Sequence, residues 1–267
     1  LISSAWIIIC LFQENFDGVL IGIAVTPMIQ LIILLWVFMG VLRQYLHFKK
    51  LRFKAPMAKL FLAFSMMSFF STVILSTVEI EIRNLILRRI SESEAGIWSA
   101  MLDLSKNYMA FSTILFTMYV IPKFAVVHGR LQFFKEMGLV YRTILPIFGL
   151  GMIVVYFFRG FIIDLIFPGF DSMSALFKWQ LIGDFIRLIG MVMSYYFIAR
   201  KLVYYFVITE ILSVGLFYVF AHYFIDIYGV EGVVIGHMIR YIVYVVVVFL
   251  MVWHYLTQQA KQKNVPQ

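Results

Sequence analysis

The sequence predicts an all-α integral membrane protein with about eight transmembrane helices, and three observations lead there. Of 267 residues, 63% are hydrophobic, 18% aromatic and only 13% charged, with a mean hydropathy of +0.95. A soluble domain keeps roughly a quarter of its residues charged to solvate its surface. The apolar runs recur at the length that crosses about 30 Å of hydrocarbon, roughly 20 residues at about 1.5 Å each. They are also continuous. In lipid every backbone group must bond internally, so such runs are helices, and the alternating pattern of a membrane barrel is absent.

Eight spans follow in order: 1–13, 19–42, 58–87, 95–121, 138–162, 178–199, 202–223 and 231–256. The first begins at Leu1 inside an apolar run, so the chain is expected to lack an N-terminal portion rather than to open with a signal peptide. Pro27 in the second span and Pro146 in the fifth, the latter near Gly149 and Gly151, are expected to kink their helices. Pro56 punctuates the start of the third. FPGFDS at 167–172 predicts a tight turn on the outer face.

Orientation follows from the cations. Arg43, Lys49, Lys50, Arg52, Lys54 and Lys59 fill one connection; Lys123, Arg130, Lys135 and Arg142 fill another. Arg200-Lys201 forms a short turn, and Lys261 and Lys263 lie in the tail. The intervening connections carry Glu14, Asp17, Glu92, Glu94, Asp164, Asp171, Asp226 and Glu231, with Arg88-Arg89 offset by the neighbouring glutamates. Basic and acidic connections alternate, which predicts a cytoplasmic C-terminus. The net charge of +8 is therefore topological and does not indicate nucleic acid. Residues 43–56 can be an interfacial segment or a linker between bundles. Residues 123–137 set Phe124, Val127, Leu131 and Phe134 at helical spacing beside cations; a loop pinned to anionic lipid and a ligand site both fit.

Six ionisable side chains lie deep inside apolar spans: Asp103 and Lys106, Asp184 and Arg187, Glu210, and Arg240. A charge at mid-bilayer costs about 2.5–3.5 kcal/mol, so each is expected to face a partner or a wet cavity. Counting rise from the span ends, Lys106, Arg187 and Arg240 lie about 14–16 Å deep, and Glu210 reaches about 12 Å from the opposite side. Four helices thus deliver charge to one layer. The i,i+3 pairs Asp103/Lys106 and Asp184/Arg187 can instead neutralise themselves on their own helices. Arg240 has no acid one turn away and needs Glu210 or a ligand.

Periodicity adds a face. Ser99, Asp103, Lys106, Ala110, Thr113 and Thr117 follow one stripe of the fourth span, and Ser65, Ser68, Thr72, Ser76 and Glu79 one stripe of the third. Such stripes fit the wall of an aqueous cleft; close helix packing through small residues is the other reading. Glu79, Glu81 and Arg83, near the outer end, read as a solvated rim.

Motifs for chemistry are missing. His47, His128, His222, His237 and His254 lack metal-ligand spacing, and His237 reads as a helix–helix hydrogen bonder. No phosphate-binding glycine loop, no Gly-x-Ser-x-Gly and no acidic cluster for magnesium occurs. The lone cysteine, Cys10, allows no disulfide framework. No enzyme, metal or cofactor is expected.

The stretch EAGIWSAMLDLSKNYMAFSTILFTMYVIPKFA resembles the seventh-to-eighth helix region of Wzx-type bacterial polysaccharide-unit flippases, in a pattern AGxWxAM…S…Y…YxxP. KWQLIGDFIRLIGMVMSYYFIARK resembles their WQLLGD helix, and ITEILSVGLFYVF…YGVEGVVIGHMIRYIVY their last two. The similarity covers about 60–256, and enterobacterial-common-antigen and O-antigen translocases are the most similar members. It departs at one place: relatives tend to have Arg early and Glu late where this chain has Asp103 and Lys106.

The resemblance implies a two-lobe, MATE-like transporter, with 58–256 as its second six-helix bundle. Residues 1–42 would be the last two helices of the first bundle, 43–57 a cytoplasmic linker and 257–267 a cytoplasmic tail. It implies alternating-access transfer of an undecaprenyl-diphosphate-linked oligosaccharide to the outer leaflet of the bacterial inner membrane. Membrane lipids and other polysaccharide-assembly proteins would be its partners. Lys106, Arg187 and Arg240 are then candidates for the diphosphate, Asp103, Ser99 and Thr113 for the cargo, and Asp184 and Glu210 as charge or coupling partners. A cation-coupled drug exporter or a peptidoglycan-precursor flippase of the same superfamily remains open. A glycan polymerase or acyltransferase would need a larger outer loop than 163–177.

Overall fold

The computed structural model describes residues 16–45, 55–127 and 129–263, and these are helical almost throughout, with no strand among them. The expected span 1–13, most of the basic segment 43–56 and His128 lie outside the described residues. The chain divides into two compact units, 1–60 and 61–267. The first contains α1 (Phe16–Tyr45), which runs unbroken through Pro27 and exposes Leu31, Ile32 and Trp36.

The second unit takes in most of α2 (Ala55–Arg89), then α3 (Glu92–Leu115), a π turn at Phe116–Val120 and the short α4 (Ile121–Ala125). It continues with α5 (Arg130–Phe157), α6 (Arg159–Ile166), α7 (Met173–Ala199) and α8 (Val203–Lys263). Ser91 caps α3 by accepting from the Glu94 N–H at 3.2 Å, the capping-box spacing. The π turn sits just before Pro122, whose missing N–H and ring disturb the preceding turn and shift its register. Helix α5 starts at Arg130, eight residues before the expected 138, and passes through Pro146 without a break. The interruption falls instead at Phe158, inside the expected span 138–162. The expected turn at 167–172 is present, with Gly169 at φ 87° and the Phe170 N–H bonded to the Phe167 carbonyl at 3.1 Å.

Helix α8 breaks at Gly229 (φ 61°, ψ −140°), between the expected spans 202–223 and 231–256. Its arms, 203–228 and 230–263, fold back on each other. A methyl on Gly232 would strike the Phe224 carbonyl, and one on Gly236 would lie 3.0 Å from the Phe220 carbonyl carbon. Only glycine permits that backbone contact. Gly183 and Gly190 of α7 do the same against His237, Met238 and Tyr244 of the second arm. Small residues at i and i+7 let membrane helices approach closely. Helix α7 is the most deeply buried of the long apolar helices. Near one end of the unit, Phe133 packs on Phe124 (5.3 Å between ring centres) and on Tyr196 (4.6 Å). Tyr205 lies against Phe197 and Tyr255 in the same region.

Among the described residues five helices are long and apolar enough to cross a membrane, the doubled α8 counting once. The chain is an all-α, multi-pass membrane protein.

Candidate functional site

Glycine contacts and hydrogen bonds fix the helix registers. Gly183 meets 237–238 and Gly190 meets 244–245, so α7 and the second arm of α8 run parallel. Asp184 meets Ser105 and Phe116 meets Tyr195, so α3 runs parallel to both. On this common scale Asp103, Lys106, Asp184, Arg187 and Arg240 fall within about 8 Å of helix rise, and Glu210 about 6 Å beyond Arg187. Five of the charges share a level, and Glu210 lies apart from it. They do not share a face.

Asp184, fully buried, is the centre of an interior cluster. It accepts from the Ser105 hydroxyl at 2.6 Å, from the Gln180 amide at 3.1 Å and from the Tyr108 hydroxyl. His237 Nε2 lies 3.0 Å from its other oxygen and 3.2 Å from the Gln180 amide nitrogen. Three helices are tied by one carboxylate. Asp184 and Arg187 stay within electrostatic reach of each other but make no direct ion pair among the described residues, the carboxylate being taken by Ser105, Tyr108, Gln180 and His237.

Arg187, half-buried, lies 5.6 Å from the Tyr241 ring centre. Arg240 is only 5% exposed. It packs on Phe217 and Tyr241 at 4.2 and 4.4 Å and donates to the Tyr241 hydroxyl at 2.8 Å. Its Nε and Nη1 have no hydrogen-bond partner among the described residues. The expected partner, Glu210, lies within electrostatic reach of Arg187 and Arg240 with the Tyr244 hydroxyl beside it. No ion pair between Glu210 and either arginine occurs among the described residues. Aromatic faces take the place of the carboxylate, since a guanidinium packs well on rings.

The other face belongs to α2 and α3. Asp103, Lys106, Ala110, Thr113 and Thr117 are exposed and Ser99 half-buried, whereas Met101, Ser105, Met109 and Ser112 of the same helix are buried. The expected stripe is therefore the outward side of α3. Ser65, Thr72 and Ser76 of α2 are exposed too. Lys106 joins the two helices through Glu79 at 2.6 Å, which corrects two expectations. Lys106 does not pair with Asp103, and Glu79 is no solvated rim, its side chain being only 15% exposed. Ser99 and Thr113 donate to carbonyls of their own helix, Ala95 at 2.7 Å and Met109 at 3.4 Å. Glu81 does behave as a rim residue, pairing with Arg88 at 3.3 Å.

Sequence reasoning missed Ser105, Tyr108, Gln180, Phe217, Tyr241 and Tyr244. For Gln180, Tyr241 and Tyr244 the signal was periodic: Gln180, Asp184 and Arg187 share one face of α7, as do His237, Arg240, Tyr241 and Tyr244 on α8.

A charged layer inside a multi-pass helical bundle defines a polytopic membrane protein, and its architecture is MATE-like. The crystal structure of a MATE mutant superposes with a TM-score of 0.67, covering 97% of this chain and 61% of that one, at 15% identity. That likeness is one of fold. In sequence the chain is similar to the Lipid III flippases of Escherichia coli (strain K12) and Shigella flexneri, each 28% identical over 233 residues. The match covers 86% of this chain and 56% of each relative, so the chain spans about half the length of the curated relatives it matches. No family model matches.

Proposed function

We propose that this chain is the C-terminal portion of a flippase that carries an undecaprenyl-diphosphate-linked oligosaccharide from the inner to the outer leaflet of a bacterial inner membrane. The cargo is the unit of an O-antigen or related surface polysaccharide, and the protein acts as a transporter, not a catalyst. Residues 58–256 form the second lobe, 1–42 the last helices of the first, 43–57 the linker and 257–267 the cytoplasmic tail.

One observation carries this reading: polar and charged groups, joined through Lys106 and Glu79, stand on the exposed sides of α2 and α3 beside exposed apolar residues such as Phe111 and Ile114. Hydrocarbon would not tolerate that surface, since each charge facing lipid costs about 2.5–3.5 kcal/mol. Water and a polar cargo would. Ser99, Asp103, Lys106 and Thr113 then face the cargo, Lys106 toward its diphosphate and Asp103 toward sugar. Asp184, Arg187, Glu210 and Arg240 sit behind this wall as the charge-balanced cluster that couples helix movement to the cargo face. The similarity to Lipid III flippases supports a lipid-linked precursor as cargo.

A peptidoglycan-precursor flippase fits that similarity as well, and mass analysis of lipid extracts separates the two. Loss of function is expected to accumulate undecaprenyl-linked units of the surface polysaccharide; accumulation of peptidoglycan precursor alone would overturn the assignment.

A further inference from the structure

Lys106 is the cation that the exposed faces of α2 and α3 share, and its ammonium is occupied. Its Nζ lies 2.6 Å from Glu79 Oε2, with the lysine side chain 48% exposed and the glutamate 15% exposed. The carboxylate is tucked between helices while the ammonium stays open on its outward side. An ammonium has three donors, and this contact uses one. With Asp103 one turn away and also exposed, the three groups sum to a charge of −1. An anion approaching this face meets a cation already neutralised.

We infer that Glu79 is an internal stand-in for the cargo's phosphate, holding Lys106 until a lipid diphosphate displaces it. The inference rests on the reading of this face as cargo-facing. A diphosphate carries more charge than a carboxylate and offers more oxygens to the ammonium, so it wins the exchange when it arrives. The exchange also cuts the Lys106–Glu79 tie between α2 and α3. Cargo arrival would thereby loosen one helix from its neighbour. Glu79 sets specificity as well: a weak monoanion cannot replace it, so only a multiply charged headgroup opens the pair.

The test is binding of farnesyl diphosphate to the detergent-purified chain and its variants, read by thermophoresis. Glu79→Gln removes the competing charge and keeps the shape. It is expected to tighten binding about two- to fivefold, the range a half-exposed ion pair supplies. Lys106→Ala is expected to weaken binding at least as much, and the double variant to match Lys106→Ala alone. If Lys106→Ala binds like the wild type, the cargo-facing reading fails. If Lys106→Ala weakens binding but Glu79→Gln leaves it unchanged or weaker, the stand-in role is refuted and the reading of the face survives. Glu79→Asp, which shortens the reach by one methylene, serves as the second variant and is expected to tighten binding too. Failure of both Glu79 variants to elute as folded protein would make the glutamate a structural brace and overturn the inference.

Discussion

Asp184→Leu tests whether one carboxylate ties α3, α7 and the second arm of α8 together. The substitution leaves the Tyr108 hydroxyl without its acceptor and takes the carboxylate from His237, which keeps only the Gln180 amide nitrogen at 3.2 Å. Ser105 and Gln180 also lose it but retain each other at 3.1 Å. A stranded buried donor costs about 1–3 kcal/mol. Losing both bonds therefore predicts a destabilisation of about 2–6 kcal/mol, a range that spans the cost of breaking a buried pair. At roughly 2–4 °C per kcal/mol for a chain of this size, the melting temperature should fall by about 10 °C. Asp184→Asn keeps an acceptor oxygen for Ser105 and Tyr108 and should lose about a third as much. The assay is thermal unfolding of detergent-purified protein followed by tryptophan emission, with size exclusion as a check on folding. Melting of Asp184→Leu within about 2 °C of the wild type would refute the claim that these donors hold the helices together.

Gly232→Ala should abolish monodisperse elution, because its methyl falls on the Phe224 carbonyl; Gly215→Ala, with nothing within 4 Å, is the neutral control. Arg240→Met replaces a buried guanidinium with an apolar chain of similar reach, so the protein should remain folded in the membrane. The same variant should fail to complement a flippase-null strain, as scored by surface glycan; normal glycan would remove Arg240 from the mechanism. Trp253→Ala removes the ring beneath Arg130, whose guanidinium lies 3.2 Å from the ring centre. Thermal unfolding should report a loss of about 1 kcal/mol.

Hydropathy made the helices legible because a bilayer demands a fixed apolar length, and the expected spans from 19–42 onward fall on helix except for the interruption at Phe158 and the first residue of 202–223. Periodicity made the stripe of Ser99, Asp103, Lys106 and Thr113 legible, since polar residues at i, i+4 and i+7 mark one side of a helix. Rise per residue alone grouped Asp103, Lys106, Asp184, Arg187 and Arg240 in depth, but it did not foresee that Glu210 lies about 6 Å beyond Arg187. Partners were harder. Sequence spacing offered Lys106 an acid at Asp103, yet the bond goes to Glu79, 27 positions away. The inner face of α3 was invisible for another reason. Ser105 and Tyr108 sit among Met101 and Met109, and single hydroxyls cost so little in a bilayer that they do not distinguish a packed face from a lipid-facing one. The break at Phe158 has no proline or glycine at its own position, so no local signal announced it.

The glycine-lined contact inside α8 limits how this protein can rearrange. Where two backbones touch without side chains between them, sliding one past the other would drive carbonyls into neighbouring turns. The arms on either side of Gly229 must therefore travel as a single plank, and Gly183 and Gly190 lock α7 onto it, so the three-residue Arg200–Leu202 corner, where Lys201 holds a left-handed conformation at φ 59°, travels with them. Spin labels placed across the plank, and across that corner, should keep one spacing in every state.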